Sequence, residues 1–134
     1  KAVVDMFGGW NLNRAPKAKI YGIAHITGGG IPEKLGRVLQ SSGFGAYVDP
    51  FEPIDFMKFL QYRGNVSDEE AYRTWNMGQG MIIITPEPEK VINLAHAHSP
   101  KIDANWIGEI REEPGITIKS KGFYEEGKEL KFAA

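Results

Sequence analysis

The sequence has 134 residues, 42% apolar and 25% charged, the size of one ordinary domain with a core of its own, which excludes a disordered or fibrous chain. Its 16 basic and 17 acidic residues nearly cancel, so no broad basic face is offered to nucleic acid or an anionic membrane, and any bound phosphate is held locally. No cysteine is present, which excludes disulfides and thiolate metal sites and suits a cytoplasmic setting, and no apolar run approaches the roughly 20 residues that cross a bilayer.

Lys1 opens the sequence within an amphipathic segment and without an initiating methionine, which points to a piece of something longer. Residues 2–7 read as the tail of a helix stopped by Gly8 and Gly9, since glycine tolerates the left-handed conformation of a helix end. Residues 19–27 alternate as a strand covered on both faces and run directly into Gly28, Gly29 and Gly30. Pro32 then suits the first turn of a helix whose buried side is Leu35, Val38 and Leu39. A strand over 44–48 and a proline-punctuated loop over 49–53 lead to a helix carrying Ile54, Met57, Phe59 and Leu60.

Ser67 and Glu70 have the spacing of a capping box, which starts a short helix through Arg73. Met81, Ile82, Ile83 and Ile84 form a short apolar run that predicts a strand inside a sheet. Thr85 and Pro86 open a further helix with Val91, Leu94, Ala95 and His98 on one face. Residues 104–110 return as a strand, and 115–119 and 130–132 read as two marginal tail strands. Strands alternating with helices predict one α+β domain in which helices pack against a layered mixed sheet.

Three glycines between a strand and a helix start leave backbone N–H groups free to face an anion, or else make a tight turn without a ligand. The spacing matches neither the Walker nor the dinucleotide-binding pattern. Arg73 and Asn76 form a second cluster, in which Arg73 either grips a phosphate in bidentate fashion or serves as a solvated structural cation. His25, beside the glycines, is placed to hydrogen-bond a phosphate or donate a proton, or to serve as a structural histidine. His96 and His98 stand two apart on a helix and point in different directions, so no metal site is predicted. No nucleophile triad is present.

The stretch GIAHITGGGIPEKLGR at 22–37, with EEAYRTWNMGQGM at 69–81 and WIGEI at 106–110, closely resembles the C-terminal domain of the aminoimidazole ribonucleotide synthase family (phosphoribosylformylglycinamidine cyclo-ligase). Gly36, Trp75 and Gln79 depart from its usual proline, phenylalanine and apolar residue. The resemblance implies an enzyme of de novo purine biosynthesis that phosphorylates the formyl amide oxygen of formylglycinamidine ribonucleotide with ATP. The amidine nitrogen then attacks, phosphate leaves and the imidazole ring closes. It implies that Thr27, Gly28, Gly29 and Gly30 line a phosphate site with Arg73 and Asn76, and that His25 is the candidate catalytic group.

It further implies ATP and magnesium held mainly by an N-terminal domain outside this sequence, a homodimer formed through that domain, and no turnover by these 134 residues alone. Three other readings remain. The chain could belong to a related ATP-using enzyme, such as selenophosphate synthetase, thiamine-monophosphate kinase, formylglycinamidine ribonucleotide synthetase or the hydrogenase maturation factor. It could be a stand-alone binding module for a phosphorylated metabolite. It could also be a structural half-domain whose bare apolar surface drives dimerisation.

Overall fold

A computed structural model describes residues 1–11 and 14–133. The helices are α1 (Ala2–Met6), α2 (Gly30–Leu39), α3 (Asp55–Gly64), α4 (Asp68–Thr74) and α5 (Pro88–His96). The strands are β1 (Gly22–His25), β2 (Gly45–Val48), β3 (Met81–Ile84), β4 (Gly108–Arg111), β5 (Gly115–Lys119) and β6 (Glu129–Phe132). The fold is the expected α+β, with a mixed sheet and packed helices. Two compact units divide the chain: one contains Lys1–Ile23 and Ile83–Trp106, the other Ala24–Ile82 and Ile107–Ala134. β1 and β3 pair as a two-stranded sheet.

In the first unit Met6, Ala18, Val91 and Ala95 form the core, with Ile20, Ile83, Leu94 and Ala104 packed against it. Helix α5 begins at Pro88 and not at Thr85 because the Thr85 hydroxyl is already committed. It donates to the Lys19 carbonyl at 2.6 Å and accepts from the Glu87 N–H at 3.0 Å. Residues 104–107 do not continue the predicted strand. The Ala104 side chain goes to this core, and its carbonyl lies 3.1 Å from His96 Nε2, so the ladder starts only at Gly108.

The second unit is built on a four-stranded sheet of order β4-β2-β5-β6. β2 and β5 are parallel, with Ala46 opposite Ile116 and Val48 opposite Ile118, whereas the outer pairs are antiparallel. Ile116, Ile118, Leu130 and Phe132 are buried, so the segments read as marginal tail strands are integral to the sheet and β5 is one of its two inner strands. Period-two alternation puts these residues on one face, against which α2 packs with buried Ile31, Leu35 and Leu39. Ser67 Oγ accepts from the Glu70 N–H at 3.2 Å, as the capping box predicts. Glu70 does not reach back; its carboxylate accepts from Thr74 Oγ1 at 2.9 Å.

Candidate functional site

The glycine loop lies wholly within the second unit. β1 ends at His25, and the next N–H, on buried Ile26, donates to the Gly80 carbonyl at 3.0 Å. The chain then turns, with the Gly30 N–H donating to the Thr27 carbonyl at 3.0 Å, and α2 begins at Gly30 with Pro32 in its first turn, as expected. Gly29 (φ 91°) and Gly30 (φ 58°) both occupy the left-handed region, which strains any residue with a Cβ.

Each glycine has its own task. A Cβ on Gly30 would lie 1.9 Å from the Tyr72 carbonyl oxygen and 2.7 Å from that of Trp75, so this glycine lets α2 start directly against the end of α4. That contact joins the two motifs that the sequence separates by some 40 positions. A Cβ on Gly28 would meet nothing within 4 Å. Among the described residues the N–H groups of Gly28, Gly29 and Ile31 have no hydrogen-bond partner, and Pro32 has no N–H to offer. The ten-residue helix α2 therefore presents three donors at its positive end, an arrangement suited to an anion.

Part of that positive field already has a negative charge. Glu33 folds back so that its Oε2 would collide with a Cβ on Gly29, and it pairs with Lys34 at 2.8 Å and with Arg37. The hydrogen bond and charge of Lys34, with lesser help from Arg37, hold the Glu33 carboxyl below its ordinary range. Reading by residue type missed this trio, although the signal is visible in PEKLGR: a carboxylate followed by cations one and four positions on places all three beside a helix start.

Thr27 and His25 are exposed, and neither side chain has a partner among the described residues. Asn76 begins a tight turn. Its Oδ1 accepts from the Gly78 N–H at 3.2 Å and its carbonyl from the Gln79 N–H at 2.9 Å, with Met77 and Gly78 both at positive φ. The oxygen of the Asn76 amide is thus spent locally while its NH2 remains to donate. Arg73 is engaged elsewhere: Nη2 lies 2.9 Å from Glu69 Oε1, and the guanidinium sits 4.9 Å from the Phe132 ring centroid. The structure places Thr27, Gly28, Gly29 and Gly30 together beside His25, and the Gly30 contact brings the end of α4 against them. Among the described residues Arg73 makes no hydrogen bond or ion pair with the loop.

The position of α4 is set by a group that the capping-box spacing of Ser67 and Glu70 does not single out. Asp68 is fully buried and accepts four hydrogen bonds, from Gln61 Nε2 (2.9 Å), Ser120 Oγ (2.6 Å), Tyr124 N (3.1 Å) and Glu125 N (2.9 Å). Burial pushes its carboxyl upward, but these bonds outweigh it, Ser120 foremost, and the group titrates below its ordinary value. Tyr72 on the same helix is buried, which pushes its phenol up to about 12, and its oxygen accepts from the Lys121 N–H at 3.0 Å. Gln79 is structural as well: its buried Oε1 accepts from the Phe51 N–H at 2.8 Å, which gives a polar residue reason to stand at an apolar position. A Cβ on Gly36 would meet nothing within 4 Å, so a larger residue at this position would meet no clash at its Cβ.

Among the described residues no group of three His, Asp or Glu side chains is placed to hold a metal ion. The magnesium implied by the resemblance does not fit these residues. No described helix is long and apolar enough to cross a membrane.

Residues 11–121 match the family model described as AIR synthase related protein, C-terminal domain. The phosphoribosylformylglycinamidine cyclo-ligase of Methanopyrus kandleri is 38% identical over 104 residues, covering 78% of this chain and 29% of that protein. The enzyme of the same name from Methanosarcina mazei is 51% identical over 101 residues, 75% of this chain and 28% of its own. The chain therefore spans less than a third of these relatives. Among solved structures, the hydrogenase maturation protein HypE of E. coli superposes with a TM-score of 0.57 at 22% identity, over 83% of this chain and 34% of HypE. PurL of T. maritima, complexed with FGAR, gives 0.51 at 14% identity, over 83% of this chain and 17% of PurL. Both likenesses concern the fold.

Proposed function

The chain belongs to the AIR synthase related protein family, as its C-terminal domain, and from that premise we propose that it is the C-terminal domain of a phosphoribosylformylglycinamidine cyclo-ligase. Its role in this reading is to hold the phosphate of formylglycinamidine ribonucleotide while the imidazole ring of aminoimidazole ribonucleotide closes. The reading is carried by the free N–H groups of Gly28, Gly29 and Ile31 at the start of α2. Fixed backbone donors stabilise phosphoryl oxygens without reorganising.

In this proposal the phosphate lies over Gly28, where open space allows close approach, with the backbone of Gly29 and Gly30 around it and the Thr27 hydroxyl and Asn76 NH2 at its edge. His25 stands beside the loop as the group able to donate a proton. Arg73 joins only by exchanging Glu69 for the substrate, and Glu33 must yield Lys34 and Arg37 to the incoming anion. ATP and magnesium are assigned to the part of the cyclo-ligases that lies outside this chain, as are the homodimer contacts and the docking of the N-terminal domain. These 134 residues alone are accordingly expected to give no ring closure, in a setting we assign to the cytoplasm.

Calorimetric titration with ribose 5-phosphate, with ribose as control, tests the phosphate role. The reading requires binding to the phosphate ester that weakens in Gly28→Ala while the fold is retained. Equal heats for ester and sugar, or an undiminished affinity in that variant, would remove the glycine loop from the proposal. A related ATP-using enzyme of the same fold is the second reading, favoured by the likeness to HypE; ring-closure assays with a full-length relative carrying this domain separate the two.

A further inference from the structure

The turn that carries Asn76 touches the glycine loop on both sides. Before it, the Trp75 carbonyl oxygen stands 2.7 Å from where a Cβ on Gly30 would lie. After it, the Gly80 carbonyl accepts from the Ile26 N–H at 3.0 Å. Between these contacts Met77 (φ 47°) and Gly78 (φ 86°) take positive φ, a conformation that costs a methionine free energy and persists only where the surroundings over-determine it. Burial of the Met77 side chain is one such constraint, and Gln79 supplies another. Its N–H donates to the Asn76 carbonyl at 2.9 Å. Its side chain is buried, and Oε1 accepts from the Phe51 N–H at 2.8 Å.

The far end of that bond is itself held. Phe51 lies between Pro50 and Pro53, both buried, whose rings fix φ on either side of it. The Asp49 N–H donates to the Ile107 carbonyl at 2.6 Å, and the Asp49 carboxylate pairs with Lys119 at the end of β5 (3.1 Å) and with Lys121 (3.0 Å). Glu52 pairs with Lys58 at 3.1 Å, and its carbonyl oxygen lies 3.1 Å from where a Cβ on Gly78 would stand. Bonds thus run from the four-stranded sheet through the 49–53 loop and the Gln79 amide to the Asn76 backbone. An asparagine held in advance loses little freedom on meeting an anion, whereas one on a loose turn must be ordered by the ligand itself.

We propose that Gln79 is a positioning residue: by locking the 76–79 turn against the 49–53 loop, it holds the Asn76 NH2 at the edge of the glycine loop. The inference rests on the phosphate reading for what Asn76 contacts. Gln79→Met keeps the length of the side chain and removes the acceptor of the Phe51 N–H. In calorimetric titration with ribose 5-phosphate, Asn76→Ala is expected to weaken binding about tenfold and Gln79→Met about fivefold. The double variant should then lose about tenfold, not the roughly fiftyfold of two independent sites. A glutamine that served stability alone would lower Tm and leave the two effects on affinity multiplicative. Multiplicative effects, or an affinity unchanged by Gln79→Met, would overturn the proposal. Amide hydrogen exchange of the ligand-free chain tests the lock separately. In the wild type the Phe51 and Gln79 amides should share one degree of protection, because they open together. Gln79→Met should speed both about tenfold while the Ala71 amide in α4 is unaffected. Unequal protection of the two wild-type amides overturns the proposal even where the variant fails to fold. Absence of ribose 5-phosphate binding by the wild type would sink the phosphate reading, and the exchange result would then decide the role of Gln79 alone.

Discussion

Replacing Asp68 by asparagine tests whether the buried carboxylate organises the second unit. The side chain keeps its shape, but an NH2 replaces one of two oxygens that together accept from Gln61, Ser120, Tyr124 and Glu125. Whichever way the amide turns, a donor faces donors, and one of these is a backbone N–H with no freedom to rotate. Hydrogen bonds to a charged acceptor contribute about 1.5–3 kcal/mol each, so losing two, with some recovery as the serine hydroxyl reverses, should cost about 3–5 kcal/mol. In a chain of this size that is a fall of roughly 10–20 °C in Tm, readable by circular dichroism and by urea titration. Because the folded carboxyl titrates below its ordinary value, its contribution is complete above about pH 4 and is lost as pH falls through the folded pKa. Wild-type stability should therefore drop below pH 4, and the asparagine variant should show a flatter curve there. A loss under about 1 kcal/mol, with unaltered acid sensitivity, would refute the reasoning.

The glycines should separate by substitution. Gly30→Ala drives a methyl group into the Tyr72 and Trp75 carbonyls at a positive φ and should cost about 2–4 kcal/mol in urea unfolding, whereas Gly28→Ala should stay within about 0.5 kcal/mol. Glu33→Gln removes a negative charge from the edge of the loop and should tighten binding of inorganic phosphate about fivefold by calorimetry; an unchanged affinity would put the anion elsewhere. Arg73→Ala loses an exposed ion pair and a ring contact with Phe132, so urea unfolding should show a loss of about 1 kcal/mol and no more than 2.

The sequence made the helix and strand order legible wherever a local signal governs it, as in the alternation into Gly28, the Ser67 cap and the run of isoleucines before Thr85. It was silent where the controlling partner is distant in the chain. Strands β5 and β6 looked marginal because they are short and separated by a charged loop, and the loop is ordered by Asp68, more than 50 residues earlier. The strand over 104–110 was placed too early because Ala104 has a second use in another core. Helix α3 was visible as a helix, but periodicity alone does not reveal which of its faces the fold covers. At the site, residue types and spacing singled out the glycines, and geometry then divided their roles: Gly30 for contact with α4, Gly28 for open space. The spacing in PEKLGR signals the Glu33, Lys34 and Arg37 trio, but it does not fix the side-chain conformation that folds Glu33 back over Gly29.

The most direct test of the phosphate role is an amide NMR titration of the ¹⁵N-labelled chain with ribose 5-phosphate. The account predicts saturable shifts centred on the Gly28, Gly29 and Ile31 amides, with the Gly30 amide, already bonded to Thr27, moving least among them. Shifts confined to other surfaces, or none at a concentration that saturates the calorimetric response, would contradict it.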